Sequence, residues 1–551
     1  MLLSFPAFSG IMPKKSAFAL PKGAAQTALN CKLWGGVLEP INAPGAVTVG
    51  PTNTATLANY GLARNSIYRF GLSSPVANVS WLSSFSDGVP ASFCRSPIAG
   101  DTQEVTFITG GPPATPHYTL STNILDASSS ATGYSYQSLK LSAPASAPIA
   151  TPSGAGDGVV EARVYVVTNI RRTGDGLEFE SAPSPVVSCS VQGGQIVTLS
   201  SMPAGSNNAT HRRIYRTATG SQGTNYYYVD EITIATTSYV DSLAATALGE
   251  VIPSLNWSSP PDTLQGLIAV AGGMMAAFTG KDVWISEPYI PSAWYHVDTT
   301  DYPIVGLAPM GTGFIVLTKG HPYVAAGTSP DEMFLQKIDL DQACVAGRSI
   351  AKYGNGIIYA SPDGLVYIDS ASARVVTDRL MTTIEWNSLC TPTTLKGAVH
   401  DGRYYGFHST GGFIFDPADD TGALSTHGYY ADAVFVDLQL DALFTVNTNT
   451  MMRFNTGSAA TYAYRTRQEE LSYPTCFGWG RVICQSYSGV TSTFKLYVDG
   501  VLGHTQAVTS SDPFRLPSGL VGRFIEVELS GTAKVVSCSL AHSASEFKQN
   551  G

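Results

Sequence analysis

Apolar positions along the 551-residue sequence come in short runs broken by polar, glycine-bearing turns, and five pairs of such runs are alike. They are "GGMMAAFTGKDVWIS" from Gly272, "GTGFIVLTKGHPYVAAG" from Gly311, "GNGIIYASPDGLVYID" from Gly354, "DGRYYGFHSTGGFIFD" from Asp401 and "QLDALFTVNTNTMMRFN" from Gln439. Each reads as an apolar strand, a polar turn and a second apolar strand. The turns carry the residues such bends need: Pro362-Asp363-Gly364, Gly411-Gly412 and Thr279-Gly280. The starts lie about 40 residues apart, the length of a propeller blade of four short strands. One blade cannot bury both of its faces; stacking blades does so and leaves only short edges. A β/α barrel would need amphipathic helices between the strands, and no stretch has that period over sufficient length. Five blades are therefore expected between residues 264 and 454. Upstream, "ANYGLARNSIYRFG" (58–71) and "TQEVTFITG" (102–110) read as further strands. The expected fold is all-β, a β-propeller of about six blades.

Two interruptions break that pattern. "SAPASAPIATPSGAGDG" (142–158) and "NWSSPPD" (256–262) have linker composition. Between them, strand-like runs recur about every ten residues, with turn signals such as Thr219-Gly220, as in a β-sandwich. Near the C-terminus, "TFKLYVDGVLGHTQAV" (493–508) alternates with period two around Asp499-Gly500, a hairpin signal, and further strands follow. "PKGAAQTALN" (21–30) reads as a short helix. The resulting map is an N-terminal arm with a short helix (1–45), a first part of the propeller (46–150), an inserted sandwich (151–256), the main propeller (257–467) and a small C-terminal sandwich (468–551).

Composition sharpens the class. Charged residues make up 13% of the chain, about half the usual ~25%, which suits β-structure rich in Gly, Ser, Thr and Tyr rather than disorder. Net charge is −9 with no long basic run, so tight nucleic-acid binding is not expected. The eight cysteines are scattered without a CxxC pair, which predicts buried free thiols; Cys476 and Cys484 opposed across a hairpin are the alternative. Lys14 and Lys15 follow the first apolar run instead of preceding it, unlike a secretory signal. The apolar stretch 266–278 is shorter than the ~20 residues of a membrane span. A soluble protein is expected.

Candidate chemistry is sparse. No GxxxxGK[ST], HExxH, GxSxG or Rossmann glycine pattern occurs, so no enzyme activity and no cofactor are expected. His400, Asp401 and His408 in "HDGRYYGFH" read either as a metal site or, by preference, as a plain hairpin, because recognised ligand spacing is missing. "DPADDTGA" (416–423) clusters oxygens without EF-hand spacing. Tyr226, Tyr227 and Tyr228 could stack on a sugar, although strand tyrosines more often fill sheet faces.

Several stretches resemble tail structural proteins of tailed bacteriophages. "LPKGAAQTALNCKLWGGVLEPI" (20–41) resembles their opening, "VWISEPYIPSAWY" (283–295) a blade motif, and residues 496–535 their C-terminal sandwich. The nearest resemblance is to the nozzle, or tail tubular, proteins of short-tailed phages. It implies a non-enzymatic virion protein, assembled in the host cytoplasm, forming a homo-oligomeric ring of six copies. Such a ring would line the DNA exit channel and join the adaptor to fibres and distal tail parts, without gripping the DNA. Ring contacts are expected at Pro21, Asn30, Trp34, Leu38 and Pro40 in the arm. Acidic loops with Asp298, Asp301, Asp416, Asp419 and Asp420 are expected to face the channel, since like charge keeps DNA mobile. The alternative is a host-receptor or glycan-binding tail protein. Residues 163–185 resemble a fibronectin type III element at Tyr165, Val167, Gly174, Ser181, Pro183 and Ser184. In that family the element closes the domain, whereas here more strands follow, so either a permuted strand order or a contribution from residues before 150 is expected.

Overall fold

The computed structural model describes residues 1–47, 64–70, 81–85, 90–98, 101–111, 113–121, 136–172, 178–218, 225–418, 424–447 and 450–547. Strands dominate, and the chain divides into two compact units. One comprises Met1–Leu72, Leu317–Pro322 and Ile338–Gly551; the other comprises Ser73–Val316 and Tyr323–Lys337.

Three four-stranded antiparallel meanders lie in the first unit. Ala351–Tyr353, Gly356–Ala360, Leu365–Ile368 and Ala373–Val375 form one. Lys396–His400, Arg403–His408, Gly411–Phe415 and Leu424–His427 form the next. Ala433–Asp437, Ala442–Asn447 and Thr450–Arg453 form most of the third. Its fourth strand is Gly45–Ala46, which pairs through Met452↔Ala46 and Arg453↔Gly45. The inner strands Gly356–Ala360 and Gly411–Phe415 are buried at every position, as stacked blades require. The strand Arg64–Arg69 is held to the third meander by a buried ion pair. Arg69 and Asp437 have side chains 1% and 0% exposed, and Arg69 Nη2 also donates to Gln439 Oε1 at 2.8 Å.

The Thr383–Leu389 helix begins with a capping box between Thr382 and Glu385. It buries Trp386, whose indole N–H donates to the Ser361 carbonyl at 3.0 Å.

His427 sits among Phe407, Tyr429 and Phe454 in this unit. Burial first, then the nearby His408, pushes its pKa down to about 3. The unfolded chain therefore takes up this proton near pH 6.5 while the folded one does not. Stability is full above that value and falls as pH drops toward 3. We expect acid melts to lose about 3 kcal/mol between pH 7 and pH 4 through this residue, and His427→Gln to flatten that slope.

The expected helix over Pro21–Asn30 is not formed; Ala25–Leu29 is a strand. It pairs with Tyr462–Thr466 and touches Leu424–His427 through Leu29↔Thr426. Ten residues are too few to hold a helix on propensity alone, and pairing with strands about four hundred positions away decides the conformation. Leu2–Phe5 pairs with Val535–Ala541 in the register Leu2↔Ala541 to Phe5↔Cys538. The N-terminal segment is thus built into the C-terminal sandwich. One sheet of that sandwich runs Tyr462–Thr466, Gly522–Gly531, Ser492–Val498 and Val501–Ala507, with Glu469–Thr475 also on Gly522–Gly531. The other runs Leu2–Phe5, Val535–Ala541, Trp479–Cys484 and Phe514–Arg515. The Asp499-Gly500 turn has positive φ at both residues (50° and 81°), as a type I′ hairpin turn needs. Phe5, Phe8, Ala25 and Leu38 share the core between the sheets with Val482, Leu529 and Leu540.

Three further meanders lie in the second unit, except for Leu317 and Thr318 at the end of one strand. Ser92–Arg95, Thr106–Thr109, His117–Thr119 and Gln137–Ser138 form one. Gln265–Val270, Met274–Thr279, Asp282–Glu287 and Ile290–Thr299 form another. Ile304–Met310, Gly313–Thr318, Tyr323–Ala326 and Phe334–Lys337 form the last. Among the described residues, six four-stranded meanders follow the blade pattern, and the five hairpins read from the sequence are inner strand pairs of five of them. The fold is all-β, of the β-propeller class, with an inserted sandwich and a C-terminal one.

The inserted sandwich sets Ile149–Ser153, Ile196–Ser200 and Tyr239–Asp241 against a second sheet. That sheet runs Glu178–Glu180, Val160–Arg172, His211–Thr217 and Tyr226–Thr233, with Val187–Gln192 also on Val160–Arg172. The strand carrying Tyr165 and Val167 is central, and its Tyr165↔Arg216 pairing is to a strand that comes later in the chain. Gly174 and the Thr219-Gly220 turn lie outside the described residues. Arg171 ties the sandwich to the meander that begins at Ser92: its guanidinium lies 4.5 Å from the Phe179 ring centroid and 5.7 Å from that of Tyr118. All eight cysteines are free thiols, Cys476 and Cys484 included, and six are fully buried. No helix among the described residues is long and apolar enough to cross a membrane.

Candidate functional site

Trp34 stands on a tight turn, Trp34–Gly36, between the paired strands Cys31–Lys32 and Glu39–Pro40. Gly35 and Gly36 both have positive φ (66° and 76°), which lets the chain reverse within three residues. The Gly36 carbonyl accepts from the Phe8 amide at 2.9 Å and fixes the turn to the core. The indole stays partly exposed. Arg403 lies over it with Cζ 4.1 Å from the ring centroid, and Lys32 Nζ stands 5.2 Å away. Such cation–π contacts are worth about 0.5–1 kcal/mol at exposed sites, so they orient the ring more than they stabilise the fold.

Arg403 is aimed by its own hairpin. Asp401 and Gly402 form the turn with φ of 49° and 69°. Arg403 Nη1 donates to the Asp401 carbonyl at 2.9 Å and its carboxylate at 3.3 Å, and Nε faces Asp416 Oδ2 at 3.5 Å. Beside the indole opens a cavity of about 210 Å³. Its floor is Tyr405 and Phe454, edge to face at 5.7 Å. Its rim carries Trp34, His400, Asp441 and Arg453. His400 Nε2 lies 3.3 Å from the exposed Asp441 carboxylate. A fixed indole, a guanidinium and an aromatic floor suit a single inserted side chain with a flat or apolar body and a polar tip.

The structure thus brings together two expected residues, Trp34 and Asp416, with His400 and Asp401, which the sequence offered only as a weak metal candidate. Among the described residues, no three His, Cys, Asp or Glu side chains converge to hold a metal ion. Leu38 and Pro40, expected at a ring contact, are buried in the chain's own core. Leu38 exchanges backbone bonds with Val535 at 3.0 and 2.8 Å. Asn30 is an internal staple: Nδ2 donates to the Thr461 carbonyl and Oδ1 accepts from the Gly428 amide. Pro21 caps a local turn through the Ala24 amide at 3.1 Å.

The acidic loops differ in state. Asp298 is exposed. Asp301 is paired with Lys337 at 3.2 Å and accepts the Tyr323 hydroxyl at 2.8 Å. Asp416 faces Arg403, so neither it nor Asp301 is a bare charge. Asp419 and Asp420 lie outside the described residues. Sequence reasoning missed Arg403, Tyr405 and Phe454 as partners of Trp34; only the Asp401-Gly402 turn signalled that Arg403 would be presented at a hairpin tip.

No protein-family profile matches the sequence, and no curated protein does. Solved structures match only weakly. The extracellular domain of a one-component system from B. thetaiotaomicron is 10% identical with a TM-score of 0.27, over 65% of this chain and 46% of that one. This chain therefore spans less than half of that protein's length. Virginiamycin B lyase from Staphylococcus aureus is 6% identical with a TM-score of 0.26, over 54% of this chain and 99% of that one. BamB from Moraxella catarrhalis is 8% identical with a TM-score of 0.24, over 56% and 97%. Likeness at this level says nothing about activity, and the fold assignment rests on the sheet pairing.

Proposed function

We propose that this chain is a structural protein of a bacteriophage tail that assembles into a ring by surface complementarity, without chemistry of its own. The observation that supports this reading is the Trp34 cavity: a preformed recess, sized for one side chain, lined by Arg453 and by an indole that Arg403 holds in place. Trp, Tyr and Arg around a small pocket are the composition of interface hot spots. The resemblance of residues 20–41, 283–295 and 496–535 to tail proteins supplies the kind of assembly. In this reading six copies surround the DNA exit channel, and adaptor and fibre proteins bind above and below. Exposed Asp298 then contributes like charge toward DNA, while Asp301 and Asp416 contribute little because Lys337 and Arg403 offset them.

Trp34→Ala tests the docking role. We expect ring association to weaken by about 2 kcal/mol, a roughly 30-fold rise in dissociation constant. The thermal melt of the isolated subunit should barely move, because the indole is partly exposed and held by surface contacts. Sedimentation velocity at graded concentrations reads the first effect, and calorimetry the second. Unchanged assembly in the variant would remove the cavity from the interface.

A further inference from the structure

The outer face of the larger sheet in the inserted sandwich carries a lattice of ion pairs. Arg213 Nε donates to Glu231 at 3.0 Å and Nη1 to Glu180 at 2.9 Å, while Nη2 is bonded to Glu178. Arg172 Nε donates to Glu178 at 2.7 Å, and both its terminal nitrogens are bonded to Glu231. Glu180 is buried and also accepts the Tyr215 hydroxyl at 2.8 Å and the Thr168 hydroxyl at 2.9 Å. These side chains fix one another in place before any ligand arrives.

Beside the lattice the chain returns. Residues 249–252 run along the Tyr226–Thr233 strand, with Tyr228 N donating to the Glu250 carbonyl at 2.8 Å and Ile252 N to the Tyr226 carbonyl at 2.8 Å. Ile252 packs with Val166 and Tyr215, and Tyr226 and Tyr228 lie partly buried against them. Between this returning segment and the lattice lies an open cleft of about 580 Å³. Its lining includes Arg172, Arg213, Tyr228, Glu231 and Glu250. The Tyr228 ring forms an aromatic wall, set edge to face on Tyr215 at 6.0 Å.

We propose that this cleft is a binding site for a neutral saccharide. Three of the five N–H groups on each guanidinium are engaged by the lattice, so both donors and carboxylate lone pairs remain, interleaved and immobile. A hydroxyl both donates and accepts, so a polyol matches such an array at every contact. A cation could use only the acceptors and would face two guanidinium groups; an anion would face the carboxylates. The tyrosine wall suits the C–H face of a pyranose ring, an apolar surface bordered by hydroxyls. The volume lies within the range of small-molecule sites. The exposed rim carboxylate of Glu250 can reach a hydroxyl outside the lattice. The same chemistry serves a free oligosaccharide or a surface polysaccharide, and the site stands whichever assembly the chain enters.

The test is titration calorimetry of the full chain with neutral tri- to hexasaccharides built from glucose, galactose, rhamnose and N-acetylglucosamine. Spermidine provides the cationic arm. At least one saccharide should bind with a dissociation constant of about 1 mM or tighter, with little dependence on salt. Tyr228→Ala and Glu250→Gln should each weaken it at least about fivefold, and Tyr228→Phe should retain most of it. Gly249→Val should block the cleft, since even a methyl there meets Tyr228 Cδ1 at 3.0 Å. Glu250→Gln changes an exposed side chain and keeps the test readable should Tyr228→Ala fold poorly. The proposal is overturned by the absence of saccharide binding at about 10 mM, by binding that both Tyr228→Ala and Glu250→Gln leave unchanged, or by a salt-sensitive preference for spermidine. A binder that also retains phage-sized dextran or galactan on a column would identify a polymer as source; retention of the oligosaccharide alone would identify a free sugar.

Discussion

Asp241→Ala is expected to destabilise the inserted sandwich by about 3–5 kcal/mol, the usual cost of removing one partner from a buried ion pair. Asp241 and Arg216 are both 0% exposed, with Arg216 Nε 2.8 Å from Asp241 Oδ2. The same carboxylate oxygen accepts the Tyr165 hydroxyl at 2.7 Å, and Oδ1 accepts the Leu243 amide at 3.0 Å. Arg216 belongs to one sheet and Asp241 to the other, so this cluster pins the two sheets through their shared core. Removing the carboxylate leaves a guanidinium and a phenol facing a cavity with no acceptor between them. Replacing both charges, as Arg216→Met with Asp241→Leu, should cost far less, because no uncompensated charge is then buried. Hydrogen exchange over residues 149–241 would read this directly. The single variant should lose protection there, and the double variant should recover much of it. Equal losses in the two would mean the pair acts through shape and not through charge.

Deleting residues 1–8 is the second large effect. Phe5 and Phe8 are 6% and 2% exposed in the core of the C-terminal sandwich. Phe8 also meets Tyr464 edge to face at 5.2 Å. Each buried phenylalanine lost in this way costs about 3–5 kcal/mol. The deletion also strips Leu2–Phe5 from the Val535–Ala541 strand, which leaves a bare sheet edge that invites aggregation. The truncated chain should melt well below the full one and precipitate on mild heating. An N-terminal arm reserved for a neighbouring subunit would behave otherwise: truncation would leave the subunit's melt intact and break only the assembly. Calorimetry on dilute protein separates the two outcomes.

These two cases show what the sequence makes legible. The blade hairpins are local: apolar runs joined by turns such as Asp401-Gly402 and Pro362-Asp363-Gly364 declare themselves within about 15 residues. The Asp499-Gly500 hairpin is equally plain. The Thr383–Leu389 helix was missed, although Thr382 and Glu385 spell a capping box. What stayed hidden is long-range. Ala25–Leu29 has the small residues of a helix but takes the strand conformation its distant partner imposes. Gly45–Ala46 is too short to read as a strand, yet it supplies the fourth strand of a meander at the other end of the chain. Tyr165 could be picked out by its motif, whereas its acceptor Asp241 could not. For the candidate site, Trp34 and Asp416 were named from the sequence for separate roles, and only Arg403, lying between them, joins them into one place.

Trp34 also changes meaning once its surroundings are known. In the sequence it belongs to an arm expected to make contacts at five positions, from Pro21 to Pro40. In the fold, Leu38, Pro40 and Asn30 serve the subunit itself, and the indole is left at the mouth of a cavity. The docking role therefore narrows from five positions spread over residues 21–40 to one recess beside Trp34. Native mass spectrometry of the full chain, at micromolar concentration and near-neutral pH, tests this account most directly. A closed oligomer, with six copies as the resemblance implies, that shifts to monomer in Trp34→Ala is the predicted result. A chain that stays monomeric at every concentration, or a ring indifferent to Trp34→Ala, would contradict it.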